Sequence, residues 1–272
     1  MIPPTGRLKA KRRFHEIVFD MRHVVCSVVR QRPVQGGVGA QTFGAQALGT
    51  GFFVARNIFI TCDHVMNNPA NPHQQGDSYL LVSNLTGTSG KVYGISNPTI
   101  GNEINLFPNL DLAVLRVANT PQEQPYVSLE YGDVYEGEDI GVVGYPLPEL
   151  RSVNGNIAFD AVLYRAGRGC VTGRYVVNDG TLISVPYIEV NFLFVPGNSG
   201  GPVFSAETGR VLGFVRAYRA VKIRESIATA TMIQQMPLGI GNQYIENLNA
   251  IYSVAVKLDF IRTTIEGFGA TL

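Results

Sequence analysis

Short runs of β-branched and aromatic residues, separated by turn residues, recur along the whole chain. They include GTGFFVA, NIFIT, DLAVLRV, DIGVVGY, YIEVNFLFV and RVLGFVRA. Patterns typical of long amphipathic helices are scarce, and only residues 14–29 and the final KLDFIRTTI suggest a helical turn or two. Many short strands at regular spacing indicate a barrel or a sandwich. We therefore expect an all-β protein, with a tight hairpin where Arg56-Asn57 separates two apolar runs.

A polar, proline-containing stretch at residues 118–128 separates two strand-rich parts of similar size. Two antiparallel barrels of somewhat more than a hundred residues each would account for this pattern. We expect an N-terminal arm at 1–30, a first barrel at 31–122, and a second barrel at 123–272 that ends in a short helix.

Charge and hydropathy exclude several classes of partner. Basic and acidic residues number 22 and 21, so the net charge of +1 gives no global reason to expect a nucleic acid. No run approaches the roughly 18 apolar residues that span a membrane. The basic cluster Arg7, Lys9, Lys11, Arg12 and Arg13 is interpreted as a solvated terminal arm.

The three cysteines, Cys26, Cys62 and Cys170, are too few for a disulfide framework and have no zinc-ligand spacing. We therefore expect no metal and no cofactor. Charged residues interrupt the apolar stretch behind the basic start, so the N-terminus does not resemble a signal peptide. These features predict a cytoplasmic protein, or a secreted one if a leader has already been removed.

Residues 195–204 read VPGNSGGPVF, with three glycines and two prolines around Ser199. So many glycines mean that the backbone adopts conformations that a β-carbon forbids, or that a ligand approaches the chain closely. An acyl-transfer site requires both the unusual backbone conformation and the close approach of a ligand. A serine nucleophile in such a site requires a base and an acid that orients the base.

Of the four histidines, only His64 directly follows an apolar strand that can hold a side chain in place; His15, His23 and His73 lie in polar segments. Asp111 opens the apolar strand DLAVLRV, where a partly buried carboxylate needs a donor. Asp63 adjoins His64 and is interpreted as a turn-stabilising residue instead.

The pattern Gly197-x-Ser199-x-Gly201 also fits the nucleophile elbow of α/β-hydrolases, but that fold places its histidine after the serine. No histidine follows Ser199. The order His64, Asp111, Ser199 is instead that of the two-barrel proteases.

FITCDHV, DLAVLRV and PGNSGGPVF together resemble the trypsin-like, chymotrypsin-fold serine peptidases, and most closely the HtrA-type branch, over residues 45–262. The resemblance implies two antiparallel six-stranded β-barrels with the active site in the cleft between them. It implies that Ser199 is the nucleophile, His64 the general base and Asp111 the residue that orients it. The N–H groups of Gly197 and Ser199 would form the oxyanion hole.

The chain departs from the resemblance at three places. Asn198 replaces an aspartate that pairs with a new N-terminus in secreted members, so activation by that route is not expected. Val65 replaces a disulfide-forming cysteine. HtrA-type proteins usually append a PDZ domain, and we expect none because few residues follow the second barrel.

The resemblance also predicts the substrate-binding residues: Leu193, Phe194, Val215, Arg216, Ala217 and Tyr218. An apolar Leu193 at the pocket floor favours a small or medium aliphatic P1 residue, whereas Arg216 and Arg219 at the rim would favour an acidic one. The substrate backbone is expected to add to the edge strand near residues 215–218. The long segment 221–247 is expected to cap or regulate this pocket.

The leading hypothesis is a serine endopeptidase that cleaves protein or peptide substrates through an acyl-enzyme. The alternative is a catalytically silent or latent two-barrel protein that acts as a binding module until a partner activates it.

Overall fold

The computed structural model describes residues 12–34, 42–83, 91–96, 98–146, 150–153, 156–159, 164–178, 184–192, 194–222 and 249–269. The strands are β1 Val25–Val34, β2 Thr42–Ala55, β3 Ile58–Thr61, β4 Ser78–Ser83, β5 Lys91–Ile95, β6 Ile104–Phe107, β7 Leu112–Arg116, β8 Asp139–Gly144, β9 Leu150–Val153, β10 Asn156–Phe159, β11 Arg165–Asn178, β12 Ser184–Val190, β13 Pro202–Ser205, β14 Val211–Lys222 and β15 Asn249–Lys257. The α-helices are α1 Phe14–Met21, α2 Asp63–Met66 and α3 Arg262–Gly267, and 3-10 turns span Pro108–Leu110 and Leu258–Ile261.

The first sheet has seven antiparallel strands in the order β5-β4-β1-β2-β3-β7-β6. All four residues of β3 are buried, as are the first four of β7, which explains why both strands read as continuous apolar runs. The predicted hairpin is confirmed, since Ala55 of β2 pairs with Ile58 of β3 around the Arg56-Asn57 turn. This sheet carries the segments that contain His64 and Asp111.

The second sheet closes into a barrel of six strands, β11-β12-β15-β14-β13-β8. A separate two-stranded hairpin, β9-β10, lies outside it. The turn between β12 and β13 contains Ser199, and β13 begins at Pro202 as the glycine-rich motif suggests.

Both sheets contribute to one large hydrophobic cluster, and the second barrel has a further, smaller cluster of its own. The large cluster includes Phe52 and Leu112 from the first sheet and Phe204, Phe214 and Val256 from the second. Helix α1 seals this cluster at one end, where Ile17 is almost fully buried and the Phe14 ring stacks on Phe204 at 6.1 Å between centroids. Burial of this apolar surface is the main force that holds the two sheets together.

The predicted all-β, two-barrel fold class is confirmed, with corrections to its detail. The first sheet has seven strands rather than six, and β5 and β6 are its edges in the described part of the chain. It starts at Val25, inside the segment predicted as an N-terminal arm, because residues 25–30 form a strand in which every side chain is buried. The division of the chain at 122/123 stays a proposal. Among the described residues, no helix is long and apolar enough to cross a membrane.

Candidate active site

His64 and Asp111 form a hydrogen-bonded pair at one end of the first sheet, just after β3 and just before β7. The His64 ring nitrogen Nδ1 lies 2.9 Å from both carboxylate oxygens of Asp111, and its backbone N–H donates to Oδ1 at 3.1 Å. Asp111 ends the 3-10 turn in the left-handed conformation, with φ of 49°. Because an ionised carboxylate can only accept hydrogen bonds, Nδ1 carries the proton and Nε2 is left to exchange one with a ligand.

The residues before Ser199 form a type II turn. The Asn198 N–H donates to the carbonyl of Val195 at 3.0 Å, and Gly197 has φ of +96°. Pro196 in the second position fixes a negative φ, which excludes the type I′ turn, and glycine in the third position tolerates the positive φ. The proline and the glycine of the VPGNSGG motif therefore specify this turn.

Thr50 of β2 binds the serine loop to the first sheet. Its N–H donates to the carbonyl of Ser199 at 2.9 Å, and its hydroxyl donates to the carbonyl of Gly197 at 2.6 Å. The same hydroxyl accepts from the Tyr145 N–H at 2.8 Å, and the Thr50 carbonyl accepts from the Thr61 hydroxyl at 2.6 Å. Thr50 is fully buried, so these bonds are protected from water.

Gly200 lies where the two sheets approach each other most closely. Its φ is +84°, and a β-carbon at this position would lie 2.2 Å from the carbonyl oxygen of Thr50 and 2.3 Å from the Thr61 hydroxyl. Its N–H donates to the carbonyl of Val215 at 2.7 Å. Only glycine fits here, because both the backbone conformation and the space exclude a side chain.

The His64–Asp111 pair and Ser199 line one cleft of about 610 Å³ between the sheets. The lining residues are His64, Asp111, Phe194, Val195, Pro196, Ser199, Val215 and Arg216. Among the described residues, no hydrogen bond joins the Ser199 hydroxyl to His64. The cleft therefore brings the serine, the imidazole and the carboxylate together, with an apolar wall beside them.

Only some of the predicted substrate-binding residues line the cleft. Phe194, Val215 and Arg216 line the cleft, and the Phe194 N–H is fixed by the buried Ser253 hydroxyl at 2.8 Å. The backbones of Ala217 and Tyr218 continue β14 and pair with β15. Leu193 lies outside the described residues, as does 223–248, which is most of the segment predicted to cap the pocket.

Strand β14 offers a free side to the cleft. In the described residues, β13 pairs with β14 only from Val211 to Phe214, whereas β15 pairs with it as far as Lys222. From Arg216 onwards, β14 is therefore paired on one side, which is the arrangement that accepts an added strand.

The sequence did not predict that Arg216 contacts Asp111. The Arg216 Nε lies 3.2 Å from Asp111 Oδ2, and its guanidinium lies over the Tyr187 ring at 5.1 Å from the centroid. Arg216 was expected at the rim of the pocket. Its approach to the carboxylate depends on a β-bulge between Val215 and Ala217, and no local sequence signal indicates a bulge there.

Cys62 also lies beside the pair, although its sequence spacing suggested no metal-ligand cluster. Its Sγ, a His64 ring nitrogen and an Asp111 oxygen all lie within 4.8 Å of one another. Complete burial and the charge of Asp111 raise the pKa of the Cys62 thiol well above its ordinary value, and the thiol donates to the carbonyl of Val215 at 3.1 Å. A protonated thiol beside the Arg216 cation is a poor cation ligand, so the cluster does not suit a metal.

Asp63 does not have the turn-stabilising role predicted for it. Its Oδ1 is buried without a hydrogen-bond partner among the described residues. Burial raises the pKa of the Asp63 carboxyl, the charge of Asp111 raises it further, and His64 lowers it. Asp63 is thus a second acidic group next to His64, one that the fold leaves unpaired.

Comparisons with known proteins identify the family of this chain. A family model described as a trypsin-like peptidase domain matches residues 49–214. A probable periplasmic serine endoprotease, DegP-like, from Pseudomonas fulva is 28% identical over 186 residues, which cover 68% of this chain and 32% of that protein. A protein of the same description from a Marinomonas species is 28% identical over 187 residues, 64% of this chain and 32% of that protein. The chain thus spans about a third of the length of these two relatives.

Solved structures share the fold at low sequence identity. The active form of the Rv3671c protease from M. tuberculosis has a TM-score of 0.54 and 17% identity, covering 100% of this chain and 96% of that one. The HtrA-type protease AlgW with a decapeptide has a TM-score of 0.59 and 15% identity, covering 94% of this chain and 67% of that one. These likenesses support the two-barrel fold.

The predicted cytoplasmic location is wrong, because the DegP-like relatives are described as periplasmic. The prediction relied on the lack of a disulfide framework and on an N-terminus that does not resemble a signal peptide. Cys26 and Cys62 are free and buried, and burial raises the pKa of both thiols. A buried, protonated thiol resists oxidation, so unpaired cysteines do not identify a reducing compartment.

Proposed function

Because this chain belongs to the family of trypsin-like peptidase domains, we propose that it is a serine endopeptidase that uses His64, Asp111 and Ser199. The observation that carries the proposal is the His64–Asp111 hydrogen bond in the same cleft as Ser199. In this proposal His64 Nε2 takes the proton of the Ser199 hydroxyl as Oγ attacks the peptide carbonyl. Asp111 holds the ring in the tautomer that this transfer requires and compensates the charge of the imidazolium.

The remaining steps follow from the same groups. The tetrahedral intermediate collapses when His64 gives its proton to the leaving amine, and Ser199 is left as an ester. Water then attacks this acyl-enzyme, with His64 again as the base, and the serine is regenerated with a free carboxylate product.

The backbone N–H groups of Gly197 and Ser199 are the proposed oxyanion hole. A type II turn differs from a type I turn by about 150° in ψ of its second residue and about 170° in φ of its third, which flips the central peptide. The turn at 195–198 therefore presents the Gly197 N–H on the face opposite to that of a type I turn. The Thr50 hydroxyl supports this arrangement by holding the Gly197 carbonyl.

The proposed substrate is an extended polypeptide that adds to the free side of β14 from Arg216 onwards. The decapeptide in the AlgW structure is consistent with a ligand of this kind. We further propose that P1 is a small or medium aliphatic side chain, because Phe194, Val195, Pro196 and Val215 form an apolar wall. By analogy with the DegP-like relatives, the site of action would be the periplasm.

A latent state that needs an activating partner is the second candidate. The observation that favours it is the missing hydrogen bond between Ser199 and His64 in the described residues. Catalytic hydrogen bonds are often loose in ligand-free enzymes and tighten when substrate binds, so the active peptidase remains the first proposal.

Labelling with a fluorophosphonate, followed by intact-mass analysis, tests the proposal. We expect one label on the natural chain and none on Ser199→Ala or His64→Ala. The exposed Ser128→Ala and His15→Ala are matched controls that should label normally. Labelling that persists in Ser199→Ala would overturn the assignment of the nucleophile. A folded natural chain that labels only after a candidate partner is added would favour the latent state.

Digestion of a peptide library then tests the P1 preference. We expect cleavage after small or medium aliphatic residues. Cleavage chiefly after Lys or Arg would contradict the proposed apolar pocket, since a buried cation would have no partner at its wall.

A further inference from the structure

The contact between Arg216 and Asp111 connects the substrate-binding strand with the proposed catalytic carboxylate. Arg216 lies at the β-bulge in β14, where pairing with β15 moves from Val215–Ala255 to Ala217–Val254. A bulge redirects one side chain of a strand. Here it brings Nε of Arg216 to 3.2 Å from Asp111 Oδ2, across the boundary between the two sheets.

We propose that Arg216 is a positioning residue for catalysis, which holds the Asp111 carboxylate in the orientation that His64 requires. The proposal rests on the proposed function, since it assumes that the His64–Asp111 pair serves Ser199. It differs from the predicted role of Arg216 at the pocket rim, where the guanidinium would bind the substrate.

The charges at the site support this role. The Asp111 side chain is only 10% exposed, and its hydrogen bonds come from His64, whereas Arg216 contacts it as an ion pair. A neutral imidazole leaves the buried carboxylate without a compensating charge in the resting enzyme. Arg216 supplies a fixed cation, while the unpaired Asp63 and the protonated Cys62 nearby supply none.

The backbone of Asp111 gives a second reason for such a support. Asp111 has φ of 49°, a conformation that residues other than glycine rarely adopt. The His64 ring contacts both carboxylate oxygens of Asp111 from the first sheet, and Arg216 contacts Oδ2 from the second sheet. The carboxylate is thus held between two elements, and Tyr187 in turn supports the guanidinium.

The test compares Arg216→Gln and Arg216→Lys with Arg210→Gln, an exposed arginine on the same barrel that pairs only loosely with Glu130 at 3.6 Å. A small fluorophosphonate reports on the triad without using β14, and peptide hydrolysis separates kcat from KM. For Arg216→Gln we expect the labelling rate and kcat to fall about ten- to hundredfold with KM nearly unchanged. Arg216→Lys keeps the charge, so its labelling rate and kcat should lie between those of Arg216→Gln and the natural chain. Arg210→Gln should match the natural chain in both.

A double-mutant cycle identifies the partner. In an Asp111→Asn background, Arg216→Gln should cause little further loss, because the contact is already broken. If Arg216→Gln lowered the labelling rate by the same factor in the natural and the Asp111→Asn backgrounds, the proposal would be overturned. A normal labelling rate in Arg216→Gln accompanied by a higher KM for peptides with acidic residues would also overturn it, since that result would make Arg216 a substrate-binding residue.

An activity-independent measurement separates this proposal from the proposed function. The low-field proton NMR signal of the His64 Nδ1–H reports on its hydrogen bond to Asp111, whether or not Ser199 reacts. We expect Arg216→Gln to shift or broaden this signal and Arg210→Gln to leave it unchanged. An unchanged signal in Arg216→Gln would overturn the positioning role even if the natural chain is active. If the natural chain never labels, the proposed function fails, and the NMR comparison still decides the role of Arg216.

Discussion

The hydroxyl of Thr50 donates a hydrogen bond of 2.6 Å to the carbonyl of Gly197, which joins the centre of the first sheet to the turn before Ser199. The same oxygen accepts from Tyr145 N–H, at the end of β8 in the second sheet. One buried hydroxyl thus fixes the serine loop relative to both sheets. Its removal would take this donor from the buried Gly197 carbonyl and this acceptor from the Tyr145 N–H.

We expect Thr50→Val, which keeps the shape but loses the hydroxyl, to lower the free energy of unfolding by about 1–3 kcal/mol. The fluorophosphonate labelling rate should fall as well, because the Gly197 peptide loses its anchor. Thr50→Ser retains the hydroxyl and serves as the control. Urea denaturation and labelling of both variants provide the measurement, and a Thr50→Val chain that labels as fast as Thr50→Ser would contradict this role.

Gly200 and Gly101 provide a matched pair for the effect of a β-carbon. Both have a positive φ, of +84° and +96°, but a β-carbon at Gly101 would meet nothing within 4 Å. Gly101→Ala should therefore cost only the conformational strain, about 1–2 kcal/mol. Gly200→Ala adds a clash with the Thr50 carbonyl and should be clearly more destabilising in thermal unfolding. Equal losses in the two variants would show that the sheets can separate slightly at no cost.

Asp63 should make the stability of the chain depend on pH. Its raised pKa, caused first by burial and then by the charge of Asp111, means that the folded state favours the protonated carboxyl. The stability that Asp63 contributes is present below its ordinary pKa of 3.8 and is lost as the pH rises through the raised value.

Asp63→Asn cannot ionise, so its stability relative to the natural chain should increase between about pH 4 and about pH 7. Urea unfolding at both pH values measures the difference, and the exposed Asp133→Asn is the control. The explanation is wrong if the two variants show the same change with pH.

The fold could be predicted because its signals are local. Apolar runs such as those of β3 and β7 indicate buried strands, and Arg56-Asn57 between two runs indicates a hairpin. Likewise, proline followed by glycine in the serine motif specifies a type II turn from the backbone preferences of two residues. Each of these features depends on neighbours in the sequence.

The contacts around Asp111 could not be predicted, because they depend on residues far apart in the chain. Arg216 reaches Asp111 only through a bulge, and a shift of one residue in a strand reverses which face a side chain occupies. The approach of Cys62 and the lack of a partner for Asp63 are likewise set by packing of α2 against β2, β7 and the 3-10 turn Pro108–Leu110.

The placement of His64 and Asp111 on one sheet and of Ser199 on the other has a consequence for synthesis of the chain. The loop that contains Ser199 is held by Thr50, almost 150 residues earlier, and its carbonyls and N–H groups also bind β14, which is made later still. Contacts of such long sequence separation form late in folding. Under the proposed function, a nascent or half-folded chain is therefore harmless to itself and to its neighbours, and the ability to cut arises only after β14 has been made and has joined the serine loop.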